Sequence, residues 1–235
     1  MGLIKAKIID EPCLRFKNYV FKDRVDAGGL LAKKLRAFIE DNSIILAIPA
    51  GGVPVGVVLA NELKLPLDLV VVRKIPIPGN PEAGFGAITP DGSIVLNEQL
   101  VKALGLTEKE IKAYASKRLK EIEERLKKFR GEKPFPKLND KNVLIVDDGL
   151  ASGYTMSVAV EAVKNRGSKQ VIIAVPTGSS EALRMLHDKV DMVICLNVRS
   201  SRVFAVADAY IEWRDISDDE VKNLLAEYNC ARRLR

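Results

Sequence analysis

The residues best suited to chemistry lie in one run, Asn142-Val143-Leu144-Ile145-Val146-Asp147-Asp148-Gly149-Leu150-Ala151-Ser152-Gly153-Tyr154-Thr155-Met156. An apolar strand over Val143–Val146 delivers two adjacent carboxylates, Asp147 and Asp148, to its C-terminal edge. A small-residue loop follows, and a helix opens near Thr155. The first amides of a helix have no internal partners, and the dipole leaves roughly half a positive charge there. A phosphate suits that end, and Gly153 lets the backbone approach it closely. Ser152 and Thr155 add hydroxyl donors. Consecutive ionised acids suit a polyhydroxyl ring, because each accepts two or more hydrogen bonds. An ordinary βα turn also places Asp and Ser before a helix. Paired acids, a small-residue loop and Thr155 together favour a ligand site over such a turn.

This run resembles the phosphoribosyl-pyrophosphate signature of type I phosphoribosyltransferases: an apolar strand, two acids, a short spacer, then Thr-Gly-x-Thr. Ser152 replaces the first Thr and keeps its hydroxyl. The resemblance implies that Asp147 and Asp148 hold the ribose hydroxyls, and that Ala151, Ser152, Gly153, Tyr154 and Thr155 cradle the 5-phosphate. It extends to Pro49-Ala50-Gly51-Gly52-Val53-Pro54, similar to the family's pyrophosphate loop, where glycine lets backbone amides face the ligand. Ala50, Gly51 and Gly52 are the implied contacts; a tight βα turn is the plainer alternative. Members with a closely similar loop often carry Arg where this chain has Ala50. Arg73-Lys74 resembles the basic pair that faces pyrophosphate, Arg as a planar fork and Lys as a mobile charge; a solvated strand end is the alternative. Phe21–Gly28, Gly79-Asn80-Pro81-Glu82 with Gly86-Ala87, and Ser217–Val221 look like a branch known as predicted phosphoribosyltransferases.

The implied reaction is displacement of pyrophosphate at ribose C1 by a nucleobase nitrogen. Asp147, Asp148, Arg73 and Lys74 form the implied catalytic set. Fixed carboxylates beside an oxocarbenium-like sugar and cations on the leaving group both lower the barrier. The resemblance implies Mg2+ bridging pyrophosphate and ribose oxygens, meeting Asp147 and Asp148 only through ribose hydroxyls or water. For the nucleobase, Arg202–Ala207 loosely resembles the ending of hypoxanthine-type enzymes, with Phe204 and Val203 as weak candidates and purine slightly favoured. Tyr210 and Trp213 read as core or interface aromatics. Ala50 keeps open a second reading, a regulator that binds phosphoribosyl pyrophosphate without turning it over. A homodimer is the expected assembly.

The elements that must position these residues show a repeating pattern. Ile44–Pro49, Leu67–Arg73, Val143–Val146, Val171–Pro176 and Met192–Leu196 are continuous apolar runs, as parallel strands covered on both faces require. Helical patterns follow at Pro54–Leu63, Thr155–Asn165 and Ser179–His187. The expected fold class is α/β: a doubly wound, mainly parallel sheet with helices on both faces, similar to type I phosphoribosyltransferases, plus an inserted hairpin and a long helix. Ligands then bind beyond the carboxyl ends of the strands. Ile75–Ser93 is too rich in Pro and Gly for a long helix, and Asp91-Gly92 signals a hairpin turn. That segment reads as a lid or as a structural hairpin. Thr107 and Glu110 make a capping box, and Ile111, Ala115, Leu119, Ile122, Leu126 and Phe129 mark one apolar stripe. This helix is expected on the main sheet or on a partner subunit. The expected organisation is a single domain over 1–235, with an insert at 75–135 and a C-terminal acceptor-side element at 197–235.

Composition narrows the classes further. With 235 residues, 47% hydrophobic and 29% charged, the chain reads as soluble and globular. The net charge of +6 favours anionic ligands. Its densest part, Lys117–Arg130, alternates with Glu at helical spacing, so nucleic acid is not the expected partner. A structural protein that binds nucleic acid through this charge is the third class considered. The three cysteines, Cys13, Cys195 and Cys230, and the single His187 lack metal-ligand spacing. No apolar run reaches membrane length and the first residues lack a secretory pattern, so a cytoplasmic location is expected.

Overall fold

A computed structural model describes residues 6–90, 92, 94–200 and 204–233. The chain begins with β1 (Lys7–Ile9), α1 (Arg24–Leu35), β2 (Ser43–Ala47), α2 (Gly52–Leu63) and β3 (Leu67–Leu69). Next come β4 (Arg73–Ile77), β5 (Asn80–Ile88), β6 (Ile94–Leu96), α3 (Glu98–Leu104) and α4 (Glu108–Arg130). It ends with β7 (Asn142–Val146), α5 (Tyr154–Lys164), β8 (Gln170–Ser179), α6 (Ser180–Leu186), β9 (Met192–Arg199) and α7 (Asp218–Arg233).

The main sheet has the order β1-β9-β8-β7-β2-β3 and every pairing in it is parallel. Successive residues on a strand face opposite sides. Ile44, Leu46, Val143, Ile145 and Ile173 pack with Met156, Val158 and Leu183 of α5 and α6. Ile45, Leu144, Ile172 and Ile194 pack with Leu31, Leu35, Val55 and Leu59 of α1 and α2. The doubly wound architecture expected from the apolar runs is therefore present. From β2 the chain moves outward through α2 to β3, while from β7 it moves the other way through α5 to β8. The loops leaving β2 and β7 part on opposite faces, which opens a crevice at the carboxyl edge between them.

The run Leu67–Arg73 does not form one strand. β3 stops at Leu69, and Val70, Val71 and Val72 cross, buried, to a second sheet that Arg73 opens. That sheet has the order β4-β5-β6 and is antiparallel. β5 and β6 form the expected hairpin, with Ile88 opposite Ile94; Asp91 and Ser93 of its turn lie outside the described residues. Elements the sequence patterns did not indicate are β1, α1, α3 and α7.

The Thr107 capping box forms as expected. The Glu110 amide donates to Thr107 Oγ1 at 3.3 Å, and the Thr107 amide to Glu110 Oε2 at 2.9 Å. Ile111, Ala115, Ile122 and Phe129 are buried, with Leu119 and Leu126 partly so. The stripe packs chiefly on Ile75, Phe85 and Ile88 of the small sheet and on Val221 and Leu225 of α7. Burying each large side chain of this kind contributes about 1.5–3 kcal/mol. Arg125 with Asp218 at 2.6 Å fastens α4 to α7. No described helix is long and apolar enough to cross a membrane. Cys195 is buried while Cys13 and Cys230 are exposed, all as free thiols.

Candidate functional site

β7 is buried along its whole length and ends where the two acids begin. The loop after them is tied to the extension of β8. The Leu150 amide donates to the Thr177 carbonyl at 3.0 Å, and the Ser179 amide to the Leu150 carbonyl at 2.9 Å. Ser179 Oγ also donates to the Ala151 carbonyl at 2.7 Å. Gly153 follows with φ of 76°, in the left-handed region where a side chain is strained. A Cβ there would also press on Met185 and Ala182. Glycine thus lets the chain turn tightly into α5. No side chain caps that helix start, and Ala151, Ser152, Tyr154 and Thr155 are exposed. Ser152, Tyr154 and Thr155 line a cavity of 540 Å³, with Lys74 and Gly86 of the small sheet opposite. An uncapped helix start with the Ser152 and Thr155 hydroxyls, and a lysine lining the same cavity, makes a cradle of the kind that can attract an anion.

The two acids diverge. Asp147 Oδ1 accepts the Asp148 amide at 2.8 Å. Asp148 is 9% exposed and its Oδ2 accepts Arg24 Nε at 2.8 Å. Arg24, 7% exposed, also donates from Nη1 to the Arg214 carbonyl at 2.9 Å. Its guanidinium lies 3.9 Å from the Trp213 ring centre. The Tyr210 hydroxyl donates to the Asp148 carbonyl at 2.6 Å. Burial, followed by the neighbouring Asp148 charge, pushes the Asp147 carboxyl well above the usual carboxylate range. Burial also raises Asp148, against the opposing pull of the Arg24 guanidinium. The Tyr210 hydroxyl is raised by burial and by Asp148.

The loop after β2 lies directly against this pair. The Pro49–Ala50 peptide is cis, and the Gly52 amide donates to the Ile48 carbonyl at 3.0 Å. A Cβ at Gly51 would overlap the Asp148 carboxylate. A Cβ at Gly52 would overlap the Val146 carbonyl and the Asp147 backbone. Both glycines are required by close approach, and Ala50 packs partly buried beside the α4 core.

Arg73 and Lys74 are neighbours on β4, so their side chains leave on opposite faces. Lys74 borders the cavity with Ser152 and Thr155. Arg73 instead sits in the electrostatic surroundings of Arg125, Glu121, Asp218 and Arg118, with its Nε buried and unpartnered. Burial, then Arg125, lowers its guanidinium from the ordinary value. The structure brings Lys74 to the cradle and turns Arg73 toward α4 and α7. Phe204 stacks with the Arg199 guanidinium at 5.1 Å; Val203 is outside the described residues.

Arg24 and the Tyr210–Trp213 pair were missed as site residues by sequence reasoning. One signal was present. Asp23 caps α1 through the Val25 and Asp26 amides, which puts Arg24 at the first helical position, where the dipole disfavours a cation. A cation there implies an acid partner supplied from elsewhere.

Comparison with known proteins agrees with this geometry. A family model described as "Phosphoribosyl transferase domain" matches residues 24–210. The chain is 37% identical over 202 residues to Rv0571c of Mycobacterium tuberculosis H37Rv and to MT0597 of strain CDC 1551 / Oshkosh, both provisionally named phosphoribosyl transferases. Each match covers 86% of this chain and 45% of the relative, so the chain spans about half the length of the curated relatives it matches. The crystal structure of TT1426 from Thermus thermophilus aligns with a TM-score of 0.77 at 32% identity, covering 88% of this chain and 98% of that one. On the breadth of these matches, this chain belongs to the phosphoribosyl transferase domain family.

Proposed function

We propose that this chain is a phosphoribosyltransferase that moves the phosphoribosyl group of 5-phosphoribosyl-1-pyrophosphate to a nucleobase and releases pyrophosphate, with purine slightly favoured. The observation that carries this reading is the exposed, uncapped start of α5 beside two acids at the sheet's crevice. In the reading, the Ser152–Thr155 backbone and the Ser152 and Thr155 hydroxyls hold the 5-phosphate. The acid pair faces the ribose, and the Ala50–Gly52 loop faces the pyrophosphate. The C1–O bond to pyrophosphate breaks, a C1–N bond forms, and the base nitrogen loses its proton. Carboxylate charge near C1 stabilises the oxocarbenium character that develops on the sugar. The β4–β6 sheet walls the cavity beside the cradle, and its closure over the bound sugar would exclude water, which otherwise competes as nucleophile.

Mg2+ fits this arrangement as an ion held mostly by substrate and water. Among the described residues no group of three or more His, Cys, Asp or Glu could cage a metal, and Asp148 is already paired with Arg24. When bound, it supplies charge neutralisation on the pyrophosphate oxygens. The reading treats residues 1–235 as a single domain with the 75–135 insert as lid and buttress. The 197–235 segment is its acceptor-side element, with Phe204 as the weak base contact. A homodimer and a cytoplasmic setting complete the proposal; three free thiols accord with a reducing compartment.

A screen for pyrophosphate release with Mg2+, phosphoribosyl pyrophosphate and each purine and pyrimidine base tests it. Release with at least one base supports transfer. Two observations favour a second reading: neutral Ala50 in the pyrophosphate loop, and Arg73 directed toward α4. A regulator that senses phosphoribosyl pyrophosphate would bind it and release no pyrophosphate with any base.

A further inference from the structure

Arg24 joins three parts of the chain that are far apart in sequence. It begins α1, meets Asp148 at a separation of 124 residues, and meets Arg214 at 190. Its guanidinium is flanked by the Trp213 ring at 3.9 Å and the Tyr210 ring at 5.8 Å. A planar cation stacked on an aromatic and hydrogen-bonded at two nitrogens is held in one orientation. The carboxylate it grips is held with it. Asp148 is constrained a second time through its carbonyl, which accepts the Tyr210 hydroxyl at 2.6 Å. Directly over that carboxylate lies Gly51, close enough that no Cβ fits between them.

We propose that Arg24 is a positioning residue for the ligand site: by fixing the Asp148 carboxylate beneath the Ala50–Gly52 loop, it sets the seat of that loop and the orientation of the acid pair. This rests on the phosphoribosyl pyrophosphate reading above. Asp148 is held by Arg24, and Asp147 is held in turn by Asp148, through its amide and through a contact between the two side chains. The Ser152–Thr155 cradle borders a cavity that neither Arg24 nor the two acids line. Loss of Arg24 should therefore disturb the pyrophosphate and sugar contacts and spare the 5-phosphate contact.

Arg24 also borders a separate groove of 460 Å³, with Trp213, Arg214 and Pro54 in its wall. That groove gives a small cation from solution a route to the vacated position in a truncated variant.

The test uses the full chain as wild type, Arg24→Ala and Arg24→Lys. Calorimetry measures phosphoribosyl pyrophosphate with Mg2+ and, separately, inorganic phosphate. Arg24→Ala should weaken phosphoribosyl pyrophosphate by about tenfold or more, since it strands a buried carboxylate, while phosphate affinity stays within about twofold. Arg24→Lys, which retains the charge, should recover part of the loss, and methylguanidinium should recover part of it in Arg24→Ala. Equal loss of both ligands, with no recovery by lysine or methylguanidinium, would mean a general structural role and overturn the proposal. Unchanged phosphoribosyl pyrophosphate affinity in Arg24→Ala overturns it too, and leaves the broader reading standing. If wild type binds phosphate but not phosphoribosyl pyrophosphate, the broader reading fails and takes this one with it.

Discussion

Gly51 and Asp148 are in such close contact that a single methyl group on Gly51 would overlap the Asp148 carboxylate. The loop after β2 and the acids after β7 are therefore one packed unit at the sheet's crevice. A change in either is felt by the other.

Gly51→Ala tests this contact. Overpacking a buried site costs about 1–3 kcal/mol, and here the strain falls on the Asp148–Arg24 pair. The variant should fold with a lower melting temperature and bind phosphoribosyl pyrophosphate more weakly than wild type. Differential scanning calorimetry and a ligand titration report both. Wild-type values in both assays would mean that the loop moves freely of the acids.

Gly153→Ala tests the entry to α5. An L-residue in the left-handed region costs about 1–2 kcal/mol, and the added methyl meets Met185 and Ala182. Stability should drop by that order and inorganic phosphate should bind more weakly, as read by chemical denaturation and calorimetry. Unchanged phosphate affinity would place the anion elsewhere.

Lys74 and Arg73 should behave differently although they are neighbours. Lys74→Ala should reduce affinity for phosphoribosyl pyrophosphate by about five- to tenfold, the loss of one charge-assisted contact. Arg73→Ala should leave that affinity near wild type and change thermal stability instead, because its surroundings are Arg125, Glu121 and Asp218. An equal loss of affinity in both variants would show that both residues turn toward the ligand in solution.

Asp147 gives a pH signature. Its folded-state carboxyl is raised by burial and by Asp148, so the folded chain binds a proton more tightly than the unfolded chain does. That contribution is fully present below the unfolded carboxylate value of about 3.9 and is lost as pH rises through the folded value. Asp147→Asn should remove this decline and raise the melting temperature near neutral pH, while lowering turnover. Melting temperatures across a pH series check the first half; pyrophosphate release checks the second. A variant less stable than wild type throughout the series would contradict the assigned direction.

What could be read from the sequence was mostly local. Asp147-Asp148 with Ser152-Gly153 and Thr155, and the Thr107–Glu110 box, each fall within a few residues, where spacing dictates geometry. The Ser217–Glu220 box that starts α7 has the same form, with the Glu220 amide donating to Ser217 Oγ at 3.2 Å. Its spacing marks a helix start that the family likeness of Ser217–Val221 does not by itself indicate. Val70–Val72 misled because burial between two sheets and burial within a strand leave the same apolar signature. Arg24 with Asp148 was beyond local reasoning, since only the tertiary fold closes a separation of 124 residues. Arg73 and Lys74 part for a simpler reason: adjacent strand residues project to opposite faces.

The most direct measurement is the backbone amide spectrum of the labelled chain during titration with ribose 5-phosphate. The expected result is saturable shifts at Ala151, Ser152, Gly153, Tyr154 and Thr155, lost together when Thr155→Val and Gly153→Ala are combined. Shifts confined to another surface, with these five amides unmoved at saturation, would contradict phosphate capture at the start of α5.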